Sequence, residues 1–213
     1  QPILENYNHY LHTTTNRIFG GGLSTSCIQN HLIAISLFDQ YLQYTQNHKI
    51  LHGPLVVTQT DPTPRSILTQ AEIQLLYATT DQSILGYRDR AILSLYYGCG
   101  LRNREGERVE LSHLHYPQQL LQVLPGKTYR GRYVPMSHSV MESLQAYQDY
   151  SRPYLLGKQA CNILIISSTG KPMQGANMRE RIKKLLSQAH ITKPIGLHSL
   201  RHSIATHLLQ SGM

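Results

Sequence analysis

The stretch LHSLRHSIATHLL, residues 197–209, combines basic and apolar side chains at the spacing of an α-helix. His198 and Arg201 stand three residues apart at the predicted helix start, so they share one face with Cβ atoms about 5–6 Å apart. Unpaired backbone N–H groups and the positive end of the helix dipole favour an anion there. The helix is predicted to be buried through other side chains: Ile204, Ala205 and Leu208. The stretch therefore predicts a helix that can hold a phosphate at its N-terminal end.

A second informative stretch is GCGLRNRE, residues 98–105, which follows RDRAIL at residues 88–93. A helix is predicted from Tyr87 to Tyr97, where the glycines that follow end it. Arg102 comes directly after this break. Taken alone, a single arginine or an isolated HxxR pair most often caps a helix, forms an ion pair or is solvated at the surface.

The remaining pattern predicts a mainly α protein with a small β-sheet. Apolar residues at helical spacing predict a first helix near Ile3 to Leu11 and a longer one capped by Ser24, with an apolar stripe that runs from Ile28 through Phe38 to Leu42. Residues 69–72 have the spacing of a capping box. Further predicted elements are a β-hairpin of residues 120–123 and 132–135, a short strand at residues 162–166 and a basic amphipathic helix at residues 178–190.

Residues 52–66 are predicted to be a linker. The segment contains Gly53-Pro54 and Asp61-Pro62-Thr63-Pro64, and its apolar residues show little periodicity. The chain therefore divides into two predicted domains, residues 1–51 and residues 67–213.

Composition favours a folded protein with a polyanionic partner. Of the 213 residues, 40% are hydrophobic and 15% are charged, which suits a folded globular protein rather than a disordered one. Twenty Lys and Arg oppose twelve Asp and Glu, a net charge of +8. Each cation placed on a phosphate releases a condensed counterion. From charge alone, nucleic-acid binding and a merely basic surface are about equally supported.

The cysteines and the hydropathy pattern indicate a cytoplasmic setting. Cys27, Cys99 and Cys161 are odd in number and widely spaced, so neither a disulfide framework nor a CxxC metal site is predicted. No run approaches the roughly 18 apolar residues of a membrane span. Residues 1–16 also lack the apolar block of a signal peptide. We therefore expect a cytoplasmic protein without a membrane partner.

In their combination and order, these stretches resemble those of the tyrosine recombinases, the family of phage integrases and chromosome-dimer resolvases. The resemblance extends from Ser24 to the C-terminus. It rests on residues 88–93, on Gly100-Leu101-Arg102 with Glu105, and on residues 198–202 followed by residues 205–209.

The resemblance implies a fold and an activity. It implies that residues 1–51 are part of a helical core-binding domain and that residues 67–213 are an α+β catalytic domain. The implied function is site-specific DNA recombination, by integration or excision, in mobile elements. The implied partners are double-stranded DNA and other copies of the protein, which form a tetramer on paired DNA sites. The implied location is the cytoplasm, in association with the nucleoid.

The resemblance also assigns roles to individual residues. In this family a tyrosine attacks a DNA phosphodiester and forms a 3′-phosphotyrosyl link, without a metal or other cofactor. By resemblance, Arg102 and Arg201 bind the scissile phosphate, a task that suits guanidinium because its planar fork donates to two oxygens at once. His198 is the implied acid/base residue, and Lys127 the residue that protonates the departing 5′-oxygen. Glu105 matches an acidic residue that orients Arg102 or a neighbour.

The sequence departs from the family's pattern in two respects. Near Arg102, Arg104 replaces a small residue, Gly106 a helix former and His113 an aspartate. In addition, none of the fourteen tyrosines stands in the family's context after the helix of residues 198–211. The resemblance places the nucleophile beyond Met213, so we expect a C-terminally truncated catalytic domain that binds DNA without cleaving it.

Two other functions stay open at this point. One is a non-catalytic DNA-binding module with a recombinase-like fold, which would not need to retain all four implied phosphate-site residues. The other is a zinc site, because His198 and His202 are four residues apart and His207 follows. Zinc would need further ligands and no HExxH is present, so no metal is expected.

Overall fold

A computed structural model of the protein describes residues 2–15, 20–46, 66–126 and 130–212, with only the backbone described for residues 2–4. The chain divides into two compact units, Gln1–Pro64 and Arg65–Met213. Almost all of the predicted linker, residues 52–66, lies outside the described residues. Within the described ranges, no helix is both long and apolar enough to cross a membrane.

In its described residues, the N-terminal unit has the helices α1 (Pro2–Thr13) and α2 (Thr25–Gln46). The side chain of Ser24 caps α2 as predicted, since its Oγ accepts a hydrogen bond from the backbone N–H of Cys27 at 3.2 Å. A small apolar core joins the two helices through Leu11, Ile28 and Leu32.

The buried stripe predicted along α2 is wrong at its C-terminal end. Phe38 is 56% exposed, and the side chain buried next to it is Asp39. Asp39 lies seven residues after Leu32, which is two helical turns along the same face. Its carboxylate accepts a hydrogen bond from Gln43 at 2.6 Å. The buried face of α2 therefore passes through Asp39, whereas the pattern predicted that it passes through Phe38.

The C-terminal unit begins with α3 (Gln70–Ala78), which has the predicted capping box. Thr69 Oγ1 accepts from the backbone N–H of Glu72 at 3.2 Å, and the Glu72 carboxylate accepts from the N–H of Thr69 at 2.7 Å. The next helix, α4 (Ile84–Leu93), is capped by Ser83. These local hydrogen bonds satisfy backbone groups that helix ends otherwise leave unpaired.

A single π turn, Ser94–Gly98, extends α4. Its defining hydrogen bond runs from the backbone N–H of Cys99 to the carbonyl oxygen of Ser94 at 2.9 Å. The sequence predicted a helix from Tyr87 to Tyr97, which is right about the C-terminal end to within one residue and three residues late at the start. The type of the last turn did not follow from the pattern. A π turn accommodates one more residue than an α turn, and such turns occur often at functional sites.

The sheet has three antiparallel strands and confirms the predicted hairpin. After α5 (Asn103–Glu107) and a short 3₁₀ turn, the strands are β1 (Leu114–His115), β2 (Leu120–Val123) and β3 (Arg132–Pro135). Val123 pairs with Arg132 at the end nearest the hairpin loop. The strand predicted at residues 162–166 is wrong: there the backbone makes only isolated bridges, from Ile163 to Glu110 and from Ile166 to Pro172.

The helices that follow β3 in the described part of this unit are α6 (His138–Tyr150), α7 (Arg152–Leu156), α8 (Gly175–Gln188) and α9 (Leu197–Gln210). The last two were predicted nearly in full. The buried side of α9, however, consists of Leu197, Leu200, Ser203 and His207. The predicted side is wrong, because Ala205 is exposed, Leu208 is 39% exposed and Ile204 is only half-buried.

Polar contacts hold α9 against the start of the unit and the π turn. The backbone N–H of Leu68 donates to Ser203 Oγ at 3.0 Å. The hydroxyl of Tyr97 lies 3.0 Å from Nδ1 of the buried His207. Because buried polar groups are costly unless they are paired, these partners allow a serine and a histidine to face the core. They also fix the helix that carries His198 and Arg201.

A buried ion pair joins α8 to α4. Arg181 Nε donates to Asp89 Oδ1 at 2.9 Å, and the Asp89 side chain is 3% exposed. Arg88, which is also buried, has its Nε 3.9 Å from the same carboxylate oxygen. The pKa of Arg88 is lowered by its burial, an effect that the charge of Asp89 opposes. The RDRAIL stretch therefore contributes to this unit a charged cluster inside the core.

Candidate phosphate-binding site

Gly100 lies next to both predicted phosphate-binding arginines. It precedes Arg102 by two residues in the chain and contacts Arg201 through its carbonyl oxygen. Its φ of +58° is a left-handed conformation that glycine adopts without strain. The carbonyl oxygen of Gly100 accepts a hydrogen bond from Nη1 of Arg201 in α9. Leu101 is fully buried, and Arg102 then becomes the N-cap residue of α5. The turn at Gly100 thus places Arg102 close to Arg201.

Glu105 forms the centre of the cluster. Its side chain is fully inaccessible to solvent, although each of its three cationic neighbours is partly exposed. Arg102 binds it twice, with the backbone N–H at 2.8 Å from Oε2 and Nη1 at 2.9 Å from Oε1. Arg132 of β3 binds both oxygens, each at 2.8 Å. Arg201 is more distant, with Nη1 3.9 Å from Oε2.

The cluster carries excess positive charge. Burial by itself would raise the pKa of Glu105, but hydrogen bonds from Arg132 and Arg102 outweigh it and lower the pKa to about 2. Glu105 is therefore ionised at neutral pH. Burial and the nearby charge of Arg102 lower the pKa of Arg201, and the charge of Glu105 opposes this shift. Three guanidiniums around one carboxylate form a site that an anion would stabilise.

His198 lies on the first turn of α9, three residues before Arg201. Its Nε2 is 2.9 Å from Nε2 of His202, with the two rings nearly perpendicular at 80°. The His198 side chain is exposed. The structure therefore places it at the helix N-terminus, where backbone N–H groups also attract anions.

The structure thus brings Arg102, Glu105 and Arg201 into one cluster and places His198 one turn away on the same helix. Lys127 lies outside the described residues. Arg132 was missing from the residues predicted for the site. The available signal was its place in the hairpin, two residues from Arg130, but the sequence does not show which hairpin arginine turns towards Glu105.

The three departures from the family's pattern have different surroundings. Arg104 is exposed. His113 is buried, and its Nδ1 accepts a hydrogen bond from the backbone N–H of Glu110 at 3.0 Å, which caps the 3₁₀ turn before β1. Gly106 packs against the ring and hydroxyl of the fully buried Tyr96. The glycine is therefore explained by the tyrosine that occupies the space of its missing side chain.

Gly106→Ala is expected to destabilise the C-terminal unit by about 1–3 kcal/mol, the usual cost of overpacking a core. The added Cβ would overlap Tyr96, whose hydroxyl donates to the backbone carbonyl of Asn103 at 3.0 Å. The free energy of unfolding in urea measures the effect. Gly196→Ala is the control, because no atom lies within 4 Å of the added Cβ there. Equal stability of the two variants would contradict the packing argument.

A metal site would require several ligands close together. Within the ranges the structure describes, no three His, Cys, Asp or Glu side chains converge in a way that could hold an ion.

Three arginines around a buried carboxylate, beside a helix that carries a histidine in its first turn, define an anion-binding site suited to a phosphate. The profile described as "Phage integrase family" matches residues 66–213. The chain therefore belongs to this family, the tyrosine recombinases.

Curated relatives include tyrosine recombinase XerD of Staphylococcus saprophyticus, which is 32% identical over 195 residues. That alignment covers 90% of this chain and 65% of the relative. XerD of Staphylococcus aureus strain Mu50 is 37% identical over 147 residues, covering 68% of this chain and 50% of the relative. The chain thus spans between half and two thirds of the length of these relatives.

Solved structures of recombinases have the same fold. The Tn1549 transposon integrase, in complex with circular intermediate DNA, matches with a TM-score of 0.69 at 21% identity, over 90% of this chain and 69% of that one. The XerA recombinase matches with a TM-score of 0.60 at 23% identity, over 99% of this chain and 68% of that one. These similarities confirm the predicted fold class, helical with a small sheet.

Proposed function

We propose that this chain supplies the phosphate-binding part of a tyrosine recombinase that carries out site-specific recombination of double-stranded DNA. The observation that carries the proposal is the cluster of Arg102, Arg132 and Arg201 around the buried Glu105. Membership of the phage integrase family and the net charge of +8 support it.

The proposed chemistry follows from what phosphoryl transfer requires. Negative charge on the non-bridging oxygens must be stabilised, and the departing oxygen must receive a proton. Arg102 and Arg201 would bind the non-bridging oxygens, with Glu105 holding Arg102 in place. His198 would bind the phosphate and act as acid or base, and Lys127 would protonate the 5′-oxygen. No metal or other cofactor enters this scheme.

The proposal also includes the nucleophile and the partners. The attacking tyrosine is assigned to sequence beyond Met213, so the 213-residue chain would bind DNA and position a phosphate without cleaving. Residues 1–51 would act as a DNA-binding domain and residues 67–213 as the catalytic domain. The protein with its tyrosine would act as a tetramer on two DNA sites, in the cytoplasm with the nucleoid.

A suicide-substrate assay on nicked duplex DNA tests the proposal. The nick lets the 5′-hydroxyl fragment diffuse away after attack, so a covalent protein–DNA complex accumulates. We expect this complex, resolved by denaturing electrophoresis, from a version extended through the native reading frame and none from the 213-residue chain. A complex formed by the 213-residue chain would contradict the assignment of the nucleophile.

The alternative is a DNA-binding module that has a recombinase-like fold and no catalytic role. The net charge of +8 alone would serve such a module equally well. It predicts duplex binding by both versions and a covalent complex from neither, on the DNA ends of the element that encodes the protein. The same gel therefore separates the two functions.

A further inference from the structure

The side chain of Arg132 makes more hydrogen bonds to Glu105 than the side chain of either predicted phosphate-binding arginine does. Its Nη1 and Nη2 donate to different carboxylate oxygens, both at 2.8 Å, which is a bidentate pair. The Arg102 side chain reaches one oxygen, at 2.9 Å, and Arg201 lies 3.9 Å from the other. Bidentate pairs between guanidinium and carboxylate are the stronger and more directional form of this interaction.

Because Glu105 is buried, its pairing with Arg132 affects the net charge of the site. The Glu105 side chain has no exposure to solvent, whereas that of Arg132 is 32% exposed. A buried charge that loses its partner cannot be compensated by water. Without Arg132, the cations left beside the carboxylate in the described part of the chain would be Arg102 and Arg201. The single negative charge of Glu105 would then offset about half of the positive charge that these two arginines offer to a phosphate.

The position of Arg132 in the fold supports a role in placing other groups. It is the first residue of β3 and pairs with Val123 of β2. Glu105 belongs to α5, on a different element. The ion pair therefore joins the base of the hairpin to the helix that Arg102 caps.

We propose that Arg132 is a positioning residue of the phosphate site, which neutralises Glu105 so that the charges of Arg102 and Arg201 act on the substrate phosphate. Arg132 acts through Glu105, without itself binding the reacting group. This inference rests on the proposed function and adds a residue to it.

The test is a double-mutant cycle in the reading-frame-extended protein, with single-turnover cleavage of the nicked duplex at saturating DNA. We expect Arg132→Ala to slow cleavage about tenfold, less than the ~10²–10³ lost with a direct phosphate donor. Duplex affinity should change less than about threefold, since one contact among many contributes little. Arg108→Ala is the control: it removes one positive charge from an exposed residue three positions after Glu105.

The second half of the cycle separates positioning from a general loss of charge. The double variant Glu105→Gln/Arg132→Ala lacks the carboxylate that Arg132 neutralises. Its cleavage rate should therefore lie within about threefold of the rate of Glu105→Gln alone. Fully additive losses would overturn the inference, as would unchanged cleavage by Arg132→Ala. If Arg132→Ala does not fold by circular dichroism, Arg132→Lys takes its place in the cycle. It keeps the charge without the bidentate geometry, and an intermediate loss is expected.

The inference and the proposed function can fail separately. Absence of a covalent complex from the extended wild-type protein would contradict the function. Arg132 is then judged on the 213-residue chain by its affinity for inorganic phosphate, measured by ³¹P line broadening. We expect Arg132→Ala to weaken this binding about tenfold and Arg108→Ala to leave it unchanged. Equal weakening in both variants would overturn the role of Arg132.

Discussion

Arg201→Ala is expected to slow covalent DNA cleavage by ~10²–10³, the usual cost of removing a donor that stabilises transition-state charge. Arg201 is held by the carbonyl oxygen of Gly100 and lies 3.9 Å from Glu105. Its guanidinium is therefore fixed before a phosphate arrives. Duplex affinity should fall far less, because a single phosphate contact is a small share of DNA binding.

The measurement pairs single-turnover cleavage by the reading-frame-extended protein with duplex affinity from a gel-shift titration. Arg201→Lys keeps the positive charge without the planar fork, so it should recover only part of the lost rate. Equal losses of rate and affinity in Arg201→Ala would show that Arg201 is a binding residue without a role in the chemistry.

Asp89→Ala is expected to destabilise the C-terminal unit by about 3–5 kcal/mol, the range for removing one partner of a buried ion pair. The carboxylate binds Arg181 and lies between two arginine side chains, of which Arg88 is 5% exposed and Arg181 is 22% exposed. Losing it leaves Arg88 charged in the core and separates α8 from α4. The urea dependence of the far-ultraviolet circular dichroism gives the free energy of unfolding.

Helix α8 provides a matched control for this prediction. Glu180 pairs with Lys183 at 2.8 Å, but both side chains are more than half exposed, at 66% and 59%. Glu180→Ala should therefore cost only about 0–1 kcal/mol, as exposed ion pairs do. A cost for Asp89→Ala that is no greater than that of Glu180→Ala would rule out a structural role for the buried pair.

Local signals in the sequence predicted a large part of the fold. The capping box of Thr69 and Glu72 and the hairpin that ends in β3 depend on residues close together in the chain, so their spacing was sufficient. The π turn did not follow from spacing, because its residues also suit an α-helix. The buried side of α9 was mispredicted because His207 finds its partner, Tyr97, in a distant segment.

The candidate site shows the same difference between residues predicted from local stretches and residues whose role depends on distant contacts. Arg102, Glu105, His198 and Arg201 were named because two short stretches resemble those of a known family. Arg132 was missed because its role depends on which carboxylate it meets across the fold. A surface arginine is the default expectation for a hairpin, and only the buried position of Glu105 distinguishes Arg132 from that default.

The π turn makes the site depend on a count of residues as well as on their identity. Each residue of a helix turns the chain by about 100° and advances it by about 1.5 Å. Shortening Ser94–Gly98 by one residue would leave an ordinary helix, whose end would point the Gly100 carbonyl away from Arg201. Substitutions in Ser94–Gly98 can keep Arg102 and Arg201 in their relative positions, whereas the deletion of one residue cannot. The length of the segment is therefore the more stringent constraint on this part of the protein.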